Sequence, residues 1–215
     1  MTNYPAFKPI PRLHRPFVVT EKIDGTNGLI MISDGYTAWD QEHDELPPRL
    51  EWDAGFREDV MYVAVGSRNR WLTLEQDNFG FALWVQSNIM SLVDDLGPGM
   101  HYGEWWGQGI QRRYGLDHKR FSLFNTARWS AIESEFKTEN LRVVPVLIPP
   151  TDGGSLNMMV FGALRELRTH GSVAAPGFMN PEGVVVYHTA AKALFKATIE
   201  NDQVPKQLAV VKEAA

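Results

Sequence analysis

The sequence contains no cysteine, which excludes a disulfide bond and a zinc site built on thiolates. No apolar run approaches the roughly 18 residues that a membrane helix needs, and residues 1–15 contain prolines instead of the apolar segment of a signal peptide. The histidines, His43 among them, lack the paired spacing of zinc ligands. We therefore expect a cytoplasmic protein without a membrane anchor or a zinc site.

Positive charge is also scarce, because the chain carries a formal net charge of −5. Such a balance gives no general attraction to nucleic acid. A protein of this charge that binds phosphate has to concentrate its cations locally. Paired basic residues are common on solvated surfaces, but the candidates here are Arg68 with Arg70, Arg112 with Arg113, and Lys119 with Arg120.

Apolar side chains are plentiful, at 44% of 215 residues, which is enough for a sizeable core. Runs of alternating or β-branched residues predict strands at 17–20, 61–65, 100–106, 120–125, 141–148, 183–187 and 193–198. Residues 28–39 are typical of a hairpin, and 41–59 of an exposed loop. Strands outnumber helices without regular βαβ alternation, so we predict an α+β fold with mainly antiparallel sheets, in a single domain of residues 1–215.

Two helices are predicted. The first begins at a cap formed by Asp77 or Asn78 and ends near residue 96, before Gly97-Pro98-Gly99. Its pattern is expected to direct four side chains towards the core, namely Phe79, Leu83, Met90 and Val93. The second helix begins at residue 155 and ends near 170–171.

The main candidate for chemistry is Lys22, at the end of a predicted strand and just before Asp24-Gly25. The plain interpretation of this stretch is an Asp-Gly turn beside a solvated lysine. A lysine that acts as a nucleophile has to lose a proton, which costs about 4 kcal/mol near pH ~7.5 for a side chain in water. A second cation or a divalent metal nearby would offset that cost.

Five further stretches carry residues that could take part in chemistry. An acid stands among aromatic residues in Tyr102-Gly103-Glu104-Trp105-Trp106, where burial without a partner would be costly. Glu182 precedes a β-branched run, and Lys196 lies in another predicted strand. The remaining stretches are Phe121-Ser122-Leu123-Phe124 and Gly66-Ser67-Arg68-Asn69-Arg70. Taken singly, each also fits a turn, a core residue or an exposed edge lysine.

Together and in this order, the motifs resemble those of the covalent nucleotidyltransferases, the ligases and capping enzymes. The resemblance runs from about residue 17 to 206 and is greatest to ATP-dependent RNA ligases of the RNA ligase 2 type. In particular, Asp24-Gly25 is followed by Thr26-Asn27, where DNA ligases and capping enzymes usually carry an arginine. This resemblance implies an ATP-grasp-like nucleotidyltransferase domain of antiparallel sheets flanked by helices.

The resemblance also implies roles for individual residues. Lys22 receives AMP, Lys196 contacts the α-phosphate, and Glu182 orients a metal-bound water. Glu104 accepts from the ribose, and Phe121 is preferred to Phe124 as the ring that stacks on adenine. The other residues expected at the nucleotide are Glu21, Ile23, Asn27 and Arg68. One departure is Thr198, where the family often has a second lysine.

The implied reaction joins RNA 5′-phosphate and 3′-hydroxyl ends with ATP and Mg²⁺ or Mn²⁺, through lysyl-AMP and an adenylylated RNA 5′ end. We expect the C-terminal domain that many such ligases use to grip RNA to be absent or reduced to a stub. Two other classes remain open. One is a protein of this fold that binds nucleotide or nucleic acid without sealing, and the other is a DNA ligase or a GTP-dependent capping enzyme.

Overall fold

The computed structural model describes residues 9–33, 47–50, 62–151 and 154–200. The chain divides into two compact units, of which the first combines residues 1–22 with 145–215 and the second contains 23–144. The predicted hairpin strand at 36–39, His43 and most of the predicted loop at 41–59 lie outside the described residues. The prediction of an α+β fold with mainly antiparallel sheets is confirmed, whereas the expectation of a single domain stays a prediction.

The first unit is built on a four-stranded antiparallel sheet in the order β10-β9-β1-β8. Its strands are β1 (Phe17–Lys22), β8 (Val146–Thr151), β9 (Gly183–His188) and β10 (Ala193–Thr198). Three consecutive valines in β9 favour this extended, half-buried conformation. Because β8 is an edge strand, it tolerates Pro149 and Pro150, which have no N–H to donate to a neighbour.

One helix of the first unit, α4 (Leu156–His170), covers one face of this sheet. It buries Ala163, Leu164 and Leu167 against side chains of β1 and β9. Gly171 ends the helix with φ 84°, in the left-handed region that glycine adopts without strain. The predicted helix is therefore confirmed, with boundaries close to those expected.

The second unit is built on a six-stranded sheet in the order β4-β3-β2-β5-β6-β7. Its strands are β2 (Thr26–Ser33), β3 (Tyr62–Gly66), β4 (Trp71–Leu72), β5 (Gly99–Gly107), β6 (Lys119–Leu123) and β7 (Leu141–Val143). All neighbouring pairs are antiparallel except β6 with β7, which are parallel. Two short helical segments, α3 (Thr126–Trp129) and a 3-10 turn (Glu133–Glu135), lie between β6 and β7.

The predicted helix from residue 77 or 78 to 96 is wrong in two respects. It is two helices, α1 (Phe81–Ser87) and α2 (Ile89–Leu96), separated by Asn88, whose side chain donates to the carbonyl oxygen of Trp84 at 2.8 Å. The predicted core face is also mostly exposed, because the helices bury other positions, among them Phe81 and Val85 in α1 and Leu92 in α2. Among its four members, only Val93 is buried; Phe79, Leu83 and Met90 are exposed.

The predicted strand at 141–148 is also wrong, because the segment forms two strands in different sheets. β7 ends at Val143 and β8 begins at Val146, with Pro145 between them. Since Pro145 has no backbone N–H, it cannot continue the β7 ladder, but its carbonyl oxygen accepts from the N–H of Glu21 at 2.9 Å. Within the part of the chain that the structure describes, no helix combines the length and the hydropathy needed to cross a membrane.

Candidate active site

Lys22 and Glu182 form an ion pair in the first unit, although 160 residues separate them in the sequence. Lys22 is the last residue of β1 and pairs in register with Gly183, the first residue of β9. Glu182 immediately precedes β9, and from this position, outside the regular strand, its side chain reaches the ammonium of Lys22. Side-chain exposure is 20% for Lys22 and 9% for Glu182, so the pair is only partly accessible to water.

The position of Glu182 depends on Gly183. Gly183 has φ 155°, and a Cβ atom at this residue would lie only 2.2 Å from the carbonyl oxygen of Ala197 in β10. The backbone is further held by a 2.9 Å hydrogen bond from the N–H of Ile199 to the carbonyl oxygen of Glu182. Glu182-Gly183 therefore marks the point where β9 lies very close to β10, and it is not an ordinary turn.

Lys196 shares a sheet face with Lys22 but does not lie in the same cross-strand row. Register places Thr198 opposite Gly183, and Gly183 opposite Lys22, whereas Lys196 lies opposite Val185, which pairs with Thr20. Two strand spacings and a two-residue offset separate the Cα atoms of the two lysines by roughly 12 Å. The Lys196 side chain is exposed on this face.

Glu21, the residue before Lys22, points to the opposite face and is buried. Its carboxylate accepts hydrogen bonds from the hydroxyl of Ser172 at 2.6 Å and from the N–H groups of Val173 and Ala174, both at 2.9 Å. Burial raises the pKa of Glu21, while these hydrogen bonds act in the opposite direction. The carboxylate of this predicted nucleotide residue thus anchors the segment 172–174 to the strand that ends in Lys22.

In the second unit, Glu104 closes the turn that follows Lys22 in the sequence. Its carboxylate accepts from the N–H of Gly25 at 3.1 Å and from the side-chain amide of Asn27 at 3.2 Å. Asn27 and Glu104 are also register partners in β2 and β5. The structure therefore brings together two predicted nucleotide residues, and it provides the partners that a buried carboxylate requires. Another residue predicted to lie at the nucleotide, Ile23, is buried in this unit.

Gly25 is required by close packing. A Cβ atom there would lie 2.5 Å from the carbonyl oxygen of Trp105 and 2.7 Å from the Cβ atom of Trp106. No larger residue fits without moving the β5 backbone. This explains the Asp-Gly sequence without reference to a turn type.

Arg112 and Tyr114 also hold this turn, and the sequence did not predict their role. The N–H of Asp24 donates to the hydroxyl oxygen of Tyr114 at 2.8 Å, and the guanidinium of Arg112 pairs with the Asp24 carboxylate at 3.2 Å. The buried ring of Tyr114 packs edge-on against Trp106, with centroids 4.9 Å apart. Arg112 had been considered only as a phosphate contact, and nothing in the pattern pointed to Asp24.

The connection between β5 and β6 that carries these two residues has an unusual backbone. Three of its non-glycine residues, Gln111, Arg113 and Tyr114, have φ between 43° and 60°. Such values are uncommon outside glycine and are kept only where the surrounding structure enforces them. The three glycines and two adjacent arginines within residues 107–115 were the one visible sign of this connection in the sequence.

The structure reverses the preference between the two phenylalanines. Phe121 is completely buried, and its ring centroid lies 5.0 Å from that of Phe81 in α1, so no part of it is available for stacking on a ligand. Phe124 is 40% exposed and follows Ser122, the register partner of Glu104, by two residues. Because side chains two residues apart share a sheet face, Phe124 lies on the face of Glu104. The burial of Phe121 therefore contradicts its choice as the stacking ring, and the alternative, Phe124, stays a prediction.

Arg68 and Arg70 lie in the turn between β3 and β4. Arg70 is occupied by the protein, since its guanidinium donates to the carbonyl oxygens of Gln76 at 2.7 Å and Asp77 at 3.3 Å. Arg68 is exposed at the tip of the same turn. Of the two, Arg68 remains the candidate for a phosphate contact.

A cavity of about 420 Å³ in the first unit lies on the α4 side of its sheet. It is lined by apolar residues of β8 and α4, including Leu147, Ile148 and Met159. Lys22 points to the other face of that sheet, so this cavity is not where its chemistry would take place.

Comparison with known proteins gives a family and a fold. The family model described as RNA ligase matches residues 15–198. Three solved mutant forms of the RNA ligase of Naegleria gruberi, each with ATP and Mn, have TM-scores of 0.55, 0.54 and 0.51 and are 17–18% identical to this chain. The matches cover 86–87% of this chain but 50% of those chains, so it spans about half their length. No protein of curated function matches it.

Proposed function

The chain belongs to the RNA ligase family, and on that premise we propose that it joins RNA ends through a lysyl-AMP intermediate on Lys22. The observation that carries this proposal is the pairing of Lys22 with Glu182 across β1 and β9. A lysine at the end of a strand has no structural need for a carboxylate whose position depends on a glycine. The arrangement instead sets a candidate nucleophile beside an acid, as group transfer through a lysine requires.

The proposed reaction has three balanced steps. In the first, the neutral amine of Lys22 attacks the α-phosphorus of ATP, a nitrogen–phosphorus bond forms, and the bond to the bridging oxygen breaks to release pyrophosphate. In the second, an oxygen of an RNA 5′-phosphate attacks the same phosphorus and Lys22 leaves, regaining a proton. In the third, an RNA 3′-hydroxyl attacks the 5′-phosphorus and AMP leaves.

Glu182 has two functions in this proposal. With no nucleotide present, its carboxylate pairs with the Lys22 side chain and holds it in place. With the nucleotide bound, the carboxylate would serve a divalent metal or a metal-bound water instead. Lys22 would then be free of its ion-pair partner and able to approach the α-phosphate.

The donor set fits Mg²⁺ or Mn²⁺ held with the nucleotide, not in a cage of protein ligands. Among the described residues, no three acidic or histidine side chains come together as a metal site. Mg²⁺ usually keeps several waters and is bound by one or two carboxylates together with substrate phosphates, so Glu182 alone suffices. Bound there, the metal supplies positive charge to the triphosphate.

The remaining predicted residues are proposed to hold the nucleotide. Glu104 is an acceptor fixed by Gly25 and Asn27, which suits a ribose hydroxyl. Phe124 offers an exposed ring on the same sheet face, which suits a purine. Lys196 extends from the face that carries Lys22, which suits the α-phosphate, and Arg68 remains the proposed contact for a further phosphate.

We also propose that the chain is an RNA ligase of the RNA ligase 2 type with a single adenylyltransferase domain. Its proposed location is the cytoplasm, and its proposed role is RNA repair. Its proposed substrate is RNA with 5′-phosphate and 3′-hydroxyl ends. Thr26-Asn27 after Asp24-Gly25 supports the RNA ligase 2 type.

The test is to incubate the purified protein with ATP labelled at the α-phosphate and a divalent metal, and then to separate it by denaturing electrophoresis. We expect a label on the protein that withstands alkali but is lost in acid, as a phosphoramidate is, and that Lys22→Ala abolishes. Lys137→Ala is the matched control, because Lys137 is an exposed lysine with a surface ion pair to Asp94. Label retained by Lys22→Ala would remove Lys22 from its role. A parallel incubation uses labelled GTP. Label from GTP but not from ATP would favour a capping enzyme, and no label from either would favour a binding protein without ligase activity.

A further inference from the structure

Phe79 combines three properties in the second unit that are rarely found together. Its φ is 53°, which for a bulky residue is a genuine outlier. Its ring is 50% exposed although its neighbours Gly80 and Phe81 lead directly into the buried helix α1. Aromatic rings exposed to water give no packing energy, so core formation does not account for this conformation.

Hydrogen bonds hold the loop both at the carbonyl oxygen of Phe79 and at the preceding residue. The carbonyl oxygen of Phe79 accepts from the indole of Trp105 at 3.2 Å and from the ammonium of Lys119 at 2.7 Å. The preceding residue, Asn78, donates from its side chain to the hydroxyl of Thr26 at 2.9 Å. A strained, over-determined residue of this kind is typical of ligand-binding segments.

Asp77 fixes the other end of the same loop. Its carboxylate accepts from the N–H groups of Asn78, Ala82 and Leu83 at 2.6–3.1 Å, so its charge is engaged with the start of α1. The loop of residues 76–80 is therefore rigid, and the ring of Phe79 is its exposed feature.

Two cations lie on this loop. Arg70 donates to the backbone at Gln76 and Asp77, and Lys119 donates to the backbone at Phe79 itself. The exposed Arg68 lies two residues from Arg70 in the adjacent turn. An exposed aromatic ring on a loop that also binds basic side chains suits single-stranded nucleic acid, because bases stack on such rings while phosphates meet nearby positive charges.

The loop is tied directly to the catalytic motif. Thr26, which receives the bond from Asn78, follows Asp24-Gly25 and begins β2. Resting on the proposed ligase function, we infer that Phe79 is a stacking platform for one unpaired base of the RNA substrate, with the ammonium of Lys119 beside a neighbouring phosphate. The platform would hold RNA close to Thr26, in the segment that follows Asp24-Gly25.

The inference is tested with Phe79→Asn. Asparagine adopts left-handed φ values more readily than phenylalanine, so this variant removes the ring while keeping the loop conformation, and its melting temperature should not fall. Leu83→Ala is the matched control, because it removes a similarly exposed apolar side chain from α1. Phe79→Trp retains a stacking surface.

Binding of a fluorescent single-stranded RNA of about eight nucleotides is measured by anisotropy without ATP, so the result does not depend on adenylylation of Lys22. Phe79→Asn should weaken binding at least about fivefold, Leu83→Ala less than about twofold, and Phe79→Trp should bind like the wild type. An abasic oligonucleotide of the same length should bind the wild type and Phe79→Asn equally.

Three results would overturn the inference. They are wild-type binding too weak to measure, equal RNA affinity of Phe79→Asn and the wild type, and an equal loss for RNA and the abasic strand. The second result would make the exposed ring a contact for a protein partner instead. Failure of the proposed function is recognised separately, by the absence of the lysyl-AMP label on the wild-type protein.

Discussion

The ion pair between Lys22 and Glu182 predicts a measurable coupling between the two side chains. The perturbation is a double-mutant cycle of Lys22→Met, Glu182→Gln and the two together. Both substitutions keep the approximate shape of the side chain and remove its charge. The cycle therefore isolates the interaction from the other contacts of each residue.

The magnitude follows from the partial burial of the pair. Exposed ion pairs contribute about 0–1 kcal/mol, whereas breaking a fully buried pair costs about 3–5 kcal/mol. With side-chain exposures of 20% and 9%, this pair lies between those limits, and we expect a coupling of about 1–3 kcal/mol. Lys22→Met should cost more than Glu182→Gln, because it leaves the more buried partner charged and alone.

The assay is the free energy of unfolding of the four proteins in urea, at low and at high salt. Salt should reduce the coupling only slightly, because a partly buried pair is screened less than an exposed one. A coupling below about 0.5 kcal/mol would mean that the charges do not interact in solution. The observation on which the proposed function rests would then be lost.

Three more predictions concern individual residues. Phe124→Ala should weaken ATP use with little change in melting temperature, whereas Phe121→Ala should destabilise the fold by about 3–5 kcal/mol, as measured by thermal unfolding; equal effects of both on ATP use alone would contradict this. Because burial raises the pKa of Glu21, the folded chain retains its proton more strongly than the unfolded chain, so stability should fall as pH rises from 4.5 towards the raised pKa. Glu21→Gln should remove that slope from a plot of melting temperature against pH, and a slope unchanged in the variant would refute the cause. Lys196→Ala should slow lysyl-AMP formation about a hundredfold and Thr198→Ala less than about tenfold in single-turnover labelling, and a Lys196→Ala enzyme as fast as the wild type would exclude its role.

The sequence predicted the elements whose pattern is local. The β-branched runs of β1 and β9 and the capped helix α4 stand where expected, because alternation and capping act over a few residues. The strands that carry Glu104 and Lys196 were located for the same reason. The resemblance assigned Lys22 and Glu182 to one site, but their ion pair across β1 and β9 was not predicted.

What the sequence did not predict depends on contacts distant in the chain. Asp24 contacts Tyr114 and Arg112, which lie in a connection where several non-glycine residues have positive φ. Residue propensities do not predict such φ values. The choice between Phe121 and Phe124 required the register of β5 with β6. An error of one residue in that register moves every side chain of the strand to the other face of the sheet.

Breaks inside regular patterns were the other source of error. Asn88 interrupts an otherwise continuous helical pattern, and Pro145 ends a continuous apolar run. Each change redirects the residues that follow it. A continuous pattern of side-chain types therefore did not guarantee a single helix or a single strand.

The strand order of the first unit has a consequence for how the chain is made. β1 finds its partners only in β8 and β9, at residues 146–151 and 183–188, whereas the second unit is one continuous segment, residues 23–144. During synthesis the whole segment of the second unit is present once residue 144 has been added. Lys22 emerges early but meets Glu182 only when translation has passed residue 182. The ion pair is therefore among the last features to assemble, and a chain truncated before that point lacks it altogether.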